Sequence, residues 1–582
     1  MQDLLKLRSS SGLTIFAPMA LAAVTLVALA WSVAGCSVFF PSAPDPPKPP
    51  SEAHAILLNS VGFLPDSAKR ATVLAPGGAT LEIHRAADGA LAWTGDVPVA
   101  IRDDLTADPL FRADFSAFTD VGEFYLEVPD LGKSATFKIS PDVYNDVLTR
   151  SMLGMYGQRC GTAVSLTLNG DTWSHPACHL KDGSLQYLTG ADEVRHSTGG
   201  WHDAGDYGKY TTNGAFSAGM MLAAWEQFQP ALTNLALPIP EQGGATPDFL
   251  DEVKWEMDWL LTLPSTDGGV PHKLTALMFE GFVMPQDDSS PRYFTKVGTA
   301  ATADFVAVTA AAARIYRPYD AAFADTCLAA ARLSYGYLQS NAGPAVPDTS
   351  AFGTGGYGDR NDADERIWAA AELWDTTGEA AFLSDFEARA ANATVAPNFD
   401  WQNVGNLGLF RYLLSRREGR NPDLVSKLQA SLIASADSLV AAANNSSWGR
   451  AVSYWWGANG AVARTAMNLA TANALSPDPR YRDGIVSALD HLLGRNHYDR
   501  SQVTMVGYYP PLEPHHRPSV ADRLSDPWPG LLVGGQDCPS GAANCASAPK
   551  YDWIDDQDSA NLNEIAINWN GALVYAAAAL AH

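Results

Sequence analysis

Two aspartates three residues apart, Asp203 and Asp206, lie in the stretch GGWHDAGDYGKY that runs from Gly199 to Tyr210. Its glycines make it a poor helix interior. Like charges at that spacing repel unless something uses both of them: a bound metal, a held water or bulk solvent. A third carboxylate, Glu564, opens the apolar run NEIAINWNGALVYAAAAL just after the acidic segment YDWIDDQDSAN. At a helix start such a group is ordinarily a cap or a dipole partner. The segment EPHHRPS sets His515, His516 and Arg517 between prolines, consecutive donors suited to polar hydroxyls or a carboxylate. Cys160, Cys178, His179 and His202 supply two thiolates and two imidazoles, a closed tetrahedral zinc set. A Cys160–Cys178 disulfide is the alternative in an exported chain.

The chain is long enough, at 582 residues, for two or more domains with a large core. A formal net charge of −25, with no long basic run, argues against nucleic acid or an anionic membrane surface as partner. Sixteen Trp and twenty Tyr exceed what a core needs and suit flat, uncharged ligands such as sugars. At the amino terminus Lys6 and Arg8 precede an apolar run that ends in VAGC, Val33 to Cys36. This resembles a bacterial lipobox, with residues 1–36 a lipoprotein signal peptide and Cys36 lipidated. A single membrane-spanning anchor is the alternative, since the run approaches the ~20 residues that cross a bilayer. Either way the protein is expected to be exported and tethered, at the outer membrane, cell surface or periplasm. Residues 37–51, with PSAPDPPKPP, form a stiff Pro-rich spacer.

The elements that must position these groups fall into two regions of different period. Residues 52–140 read as short strands rich in branched and aromatic residues between Gly, Pro and Asp turns, an immunoglobulin-like sandwich. Residues 141–582 show about twelve Ala/Leu-rich segments with helical periodicity. With no alternating strands, they fit six helical hairpins closed into an (α/α)6 barrel, with an irregular bundle as fallback. The long connections 158–210, 264–298, 341–361 and 495–562 are the candidates for function. Cys538 and Cys545 are spaced to close a small disulfide loop, and Cys327 lies on an apolar helix.

In their order and separation, GGWHDAGDYGKY, PHHR and NEIAINWNGALV resemble the signatures of glycoside hydrolase family 9, the inverting cellulases. GRNHYDRSQVT, DEVKWEMDWLL and DERIWAAAELWDTTG are also similar to family segments, and one branch of the family carries an N-terminal immunoglobulin-like module. The resemblance implies Asp206 as general base, Asp203 as holder of the attacking water and Glu564 as general acid. It implies His516 and Arg517 as a substrate-binding pair and Trp569 as a sugar contact. It favours zinc at Cys160, Cys178, His179 and His202, in a structural role. It suggests calcium at Asp359, Asp362, Asp364 and Glu365, for which a solvated helix start is the alternative. No organic cofactor is expected.

Two departures border the cleavage site. Ala560 stands where many members have tyrosine, and VTMVGYY replaces a common VTG turn. No cellulose-binding module follows in this sequence, which points to loose chains or soluble oligosaccharides. The expected activity is hydrolysis of β-1,4-glucosidic bonds in cellulose, cellodextrins or related β-glucans, by a tethered monomer. Exo action is expected if loops 264–298 or 531–552 block one end of the cleft. The alternatives are an exo-β-glucosaminidase on chitosan oligosaccharides, using the DWIDDQD loop as an acidic pocket, and a non-catalytic glycan-binding protein.

Overall fold

A computed structural model describes residues 54–74, 79–97, 99–103, 109–537 and 553–582. Cys36, the Pro-rich spacer and the expected Cys538–Cys545 bridge lie outside the described residues.

The first region is a two-sheet sandwich. One sheet orders Ile56–Leu57, Arg70–Val73, Pro109–Asp114 and Val99–Arg102. The other orders Gly62–Phe63, Phe137–Ile139, Gly122–Val128, Thr80–Arg85 and Leu91–Asp96, with Gly132–Lys133 added beside Gly122–Val128. Alternation sets the faces: Phe124, Leu126 and Val128 point inward while Glu123, Tyr125 and Glu127 do not. Between the sheets Phe63 meets Phe115 and Phe137 edge-on at 5.2 and 5.4 Å. The sandwich rests on the helical region through buried polar contacts, Asn59 Nδ2 donating to Asp490 at 3.0 Å and the Thr72 hydroxyl to the Ser447 carbonyl at 2.8 Å.

The second region is the expected (α/α)6 barrel. The inner ring is formed by Thr211–Leu232, Thr299–Ile315, Ala363–Thr377, Gly405–Leu414, Ala458–Leu475 and Ile567–Ala578. Outside it pack Asn145–Gly157, Asp248–Leu260, Ala321–Ser340, Ala380–Ala390, Pro422–Asn445 and Pro479–Leu492. The two classes differ in sequence for a physical reason. An inner helix touches neighbours on all sides, so Thr299–Ile315 is buried at every position except Arg314. An outer helix such as Pro422–Asn445 buries one stripe: Leu424, Leu428, Leu432, Ser435, Ala436, Leu439, Val440 and Ala443.

All six inner helices run in the same direction. Their starts, with the loops leading into them, gather at one end of the barrel, and their last turns line a cavity at the other. Among the described residues no helix is long and apolar enough to cross a membrane.

Candidate active site

At the end where the inner helices begin, a cleft of about 470 Å³ is lined by Asp203, Asp206, Tyr210, Phe279, Tyr357, Trp401, Trp456, His515, Arg517, Glu564 and Trp569, among others. The Asp203–Asp206 turn is fixed from several directions. Its carbonyls accept from Ile567 N–H at Asp203 (2.9 Å), the Gln158 side-chain amide Nε2 at Ala204 (3.0 Å) and Arg517 N–H at Gly205 (3.1 Å). Gly205 is required by close approach, because a Cβ there would stand 2.1 Å from the His515 carbonyl oxygen. Tyr210 then leads into Thr211–Leu232.

Asp203 is buried and held at both oxygens: Oδ1 accepts from Asn213 Nδ2 and Oδ2 from the Tyr357 hydroxyl, each at 2.7 Å. Burial, then the charge of Asp206, pushes its carboxyl up to about 8. Asp206 Oδ2 accepts from Gly208 N–H at 2.9 Å and from the Tyr210 hydroxyl at 3.4 Å. Buried Lys273 supplies the neighbouring positive charge. Its ammonium donates to Thr354 Oγ1 at 2.9 Å and the Gly355 carbonyl at 2.7 Å, anchoring the loop that brings Tyr357 to Asp203.

Glu564 does not start a helix, as its sequence position suggested. The helix begins at Ile567, and residues 564–566 are extended, bridging His515, Val533 and Ala204. These bridges hold the Glu564 backbone against both the histidine loop and the Asp203 turn. Burial, then Asp206 and Asp203, raises its carboxyl to about 8, with Arg517 opposing. A carboxylic acid able to donate at neutral pH thus shares a cleft with Asp206, the arrangement needed for paired acid and base chemistry.

The structure brings Arg517 and Trp569 to the cleft, as expected, but not His516. The His516 ring is buried, with Nε2 3.0 Å from Gln158 Oε1 and Nδ1 2.8 Å from the Ser519 hydroxyl. Its burial lowers its basicity to a pKa of about 3. His515 is the histidine on the cleft wall. Trp569 is seated by glycines: a Cβ at Gly460 or Gly457 would come within 2.3 or 2.5 Å of its ring. Asn213, Tyr357 and Lys273 were not singled out from sequence. Tyr357 had one signal, its place in the long loop 341–361.

Beside the Asp203 turn, one ligand atom each from Cys160, Cys178, His179 and His202 lies within 4.8 Å of the other three. The separations are 3.7 Å for Cys160 Sγ to His179 Nδ1, 3.8 Å for Cys178 Sγ to His202 Nε2 and 3.4 Å between those nitrogens. They match the edges, roughly 3.3–3.8 Å, of a tetrahedron with zinc bond lengths. The two cysteines are not bridged. Asp288 stands 3.3 Å from the outer nitrogen of His179, the carboxylate support common behind metal-bound histidines.

The acidic segment 359–365 is rearranged relative to expectation. Asp362 pairs with Arg366 at 2.9 Å, so it is not free to join a cation site. Asp304, from the second turn of Thr299–Ile315, stands near Asp359 and Asp364 instead: both its oxygens and both oxygens of Glu365 are buried without a hydrogen-bond partner. Asp364 accepts from Val404 N–H at 2.7 Å and Asp359 from Asn361 N–H at 2.8 Å. Burial and mutual repulsion raise the carboxyls of Asp304 and Glu365 well above their ordinary range. Uncompensated buried carboxylates of this kind fit a hard cation or retained protons.

Comparison with known proteins agrees with this geometry. A family model described as glycosyl hydrolase family 9 matches residues 144–577, and one described as a cellulase N-terminal ig-like domain matches residues 51–133. The chain is 46% identical to endoglucanase D of Acetivibrio thermocellus over 529 residues, 90% of this chain and 83% of the relative. It is 33% identical to a cellodextrinase of Butyrivibrio fibrisolvens, over 90% of this chain and 98% of that protein. The crystal structure of a metagenome-derived family 9 endoglucanase superimposes with a TM-score of 0.84 at 38% identity, covering 90% of this chain and 98% of that one. With its family model spanning most of the chain and its carboxylates gathered in one cleft, the protein belongs to glycosyl hydrolase family 9.

Proposed function

We propose that the protein hydrolyses β-1,4-glucosidic bonds in cellulose-like glucans or cellodextrins with inversion at the anomeric carbon. The observation that carries this reading is Asp206 and Glu564 meeting in one aromatic-lined cleft, with Glu564 raised to about 8. Glu564 gives its proton to the glycosidic oxygen as the bond from that oxygen to the anomeric carbon breaks. Asp206 takes a proton from a water whose oxygen forms the new bond on the opposite face. Asp203, immobilised by Asn213 and Tyr357, helps hold that water. Inverting hydrolases need roughly 6.5–9.5 Å between acid and base to admit it. Trp401, Trp456, Phe279 and Trp569 offer ring faces to successive sugars; Arg517 offers donors to hydroxyls, and His515, whose Nδ1–H is given to the Gln557 carbonyl at 2.6 Å, offers Nε2 as an acceptor.

Zinc is the ion proposed for Cys160, Cys178, His179 and His202, since all four positions are protein atoms and the separations suit it. It would clamp the loop before the Asp203 turn and take no part in the reaction. For Asp304, Asp359, Asp364 and Glu365 we propose calcium, which would supply the charge their buried oxygens lack. Lipidation at Cys36 remains part of the proposal, as the tether of an exported enzyme.

The glucosaminidase alternative needs an acidic pocket from the DWIDDQD loop. Asp555 is instead bound to Arg500 at 2.7 Å, to the amides of Leu512 and Glu513 and to Asn563, so it braces backbone. Incubation with cellotetraose and with a chitosan tetramer tests the assignment. Release of glucose or cellobiose from the first alone is expected; turnover of the second alone would overturn it.

A further inference from the structure

One side chain outside the reacting set touches both the turn that carries Asp206 and the arginine of the cleft. Glu280 lies on the loop between Lys273–Ala276 and Arg292–Phe294, with 7% of its side chain accessible. Its Oε1 accepts from the backbone N–H of Tyr207, the residue after Asp206, at 3.0 Å, and stands 2.9 Å from Arg517 Nε. Its carbonyl accepts from Arg517 Nε and Nη2 at 3.1 and 3.0 Å, while Nη1 of the same guanidinium donates to the Gly205 carbonyl at 2.6 Å. The loop continues back along the turn: the Val283 carbonyl accepts from the Tyr207 hydroxyl, and Asp288 reaches His179.

We propose that Glu280 is a positioning residue for the hydrolysis, its carboxylate joining the Tyr207 amide to the Arg517 guanidinium so that the Asp206 turn and the arginine are held together. The inference rests on the assignment of Asp206 and Glu564 made above. The contacts call for this residue type. A carboxylate accepts from an amide and a guanidinium at once and balances the arginine's charge. Glutamine keeps the first bond without the charge; aspartate keeps the charge on a stem one methylene shorter.

Glu564 offers a readout of that charge. Burial raises it most, then Asp206 and Asp203, while Arg517 and the Gly205 amide lower it; His515 adjoins it on the bridged strand. With Glu280 neutralised, the pull of Arg517 on Glu564 is stronger. The protonated acid is then lost at lower pH, and the alkaline limb of the rate profile moves toward acid.

The test compares E280Q, E280D and E280A in the full-length chain on cellotetraose across pH, with D206N and E564Q as controls. For E280Q we expect kcat to fall about ten-fold, KM to change less than kcat, and the alkaline limb to move down by about half a pH unit. E280A should lose about a hundred-fold, with E280D restoring part of the loss. E280Q with the native kcat and the native limb overturns the proposal. So does a lower kcat with an unmoved limb and no advantage of E280D over E280A, the pattern of a merely structural contact. If E280A does not fold, the isosteric E280Q decides. If D206N and E564Q hydrolyse at the native rate, it is the catalytic assignment that fails, independently of Glu280.

Discussion

The two ends of the barrel use carboxylates in opposite ways. Where the inner helices begin, Asp203, Asp206 and Glu564 line one cleft, and Asp304 and Glu365 lie buried without hydrogen-bond partners. Where the helices finish, a cavity of about 1030 Å³ is bordered by carboxylates set against arginines: Glu226 and Glu372 on Arg314 at 2.9 and 2.8 Å, and Asp375 on Arg411 at 3.2 Å. Arg314 and Arg411 stand in the last turns of their helices, where a cation complements the helix dipole. Partial desolvation on the cavity wall would raise Glu226, yet Arg314 and Arg411 together hold it down to about 2. Glu372, which shares Arg314 with Glu226, stays raised because burial prevails there. At the opening end the dipoles also favour anions, but burial and mutual repulsion prevail and Glu564 reaches about 8. Counter-charge therefore separates Glu564, kept as a proton donor, from Glu226, kept as a fastener.

The contrast is sharpest in mutants. D206N or E564Q should lower kcat by about a thousand-fold or more while leaving thermal stability within a few degrees, since D206N removes a like charge from a crowded site and E564Q replaces an acid that is already neutral at pH 7. A large loss of Tm would show that the cleft carboxylates are structural. The zinc proposed at the Cys160 cluster should act mainly on stability. A chelator such as phenanthroline is expected to lower Tm by roughly 5–10 °C, restored by zinc; an unchanged melt would argue against a bound ion.

Where the inner helices finish, E226Q leaves Arg314 and Arg411 with one partner fewer. It should cost about 1–2 kcal/mol in denaturant unfolding with kcat within two-fold of native, between the values for exposed and buried ion pairs, because Glu226 borders an open cavity and each arginine keeps another carboxylate. Equal loss of activity would mean that the two ends are coupled. The smallest effects are in pH. Protonated Glu564 is lost as pH rises, so kcat/KM should fall through about pH 8, a limb belonging to Glu564 and Asp203 together. Glu226 behaves oppositely. Its folded-state pKa is depressed, so its contribution is present above its ordinary value of about 4.5 and lost as pH falls toward 2. Unfolding curves of native and E226Q chains should converge in that window.

Much of this was readable in the residues, and the misses have physical causes. Helical periodicity marked the long helices closely; Ala321–Ser340 and Pro422–Asn445 begin and end within a residue or so of the apolar pattern. The start at Ile567 was missed because residues 564–566 are extended by pairing with distant segments, which no local pattern records. His516 was expected at the cleft and His515 stands there instead, because neighbours on extended backbone face opposite ways, and His516 is extended, with φ −141° and ψ 110°. Asp304 did leave a trace, a lone carboxylate inside TAATADFVAV, an apolar helix where an acidic residue is rarely buried without purpose. Glu280 left none, because a loop residue that joins two other segments has no periodicity to betray it.

The most direct test of the central claim, that Asp206 and Glu564 act as base and acid on opposite faces of the sugar, is proton NMR of cellotetraose during the first minutes of hydrolysis. The account requires the new reducing end to appear as the α-anomer and to mutarotate afterwards. First appearance of the β-anomer would mean retention through a covalent intermediate and would contradict the assignment of both carboxylates.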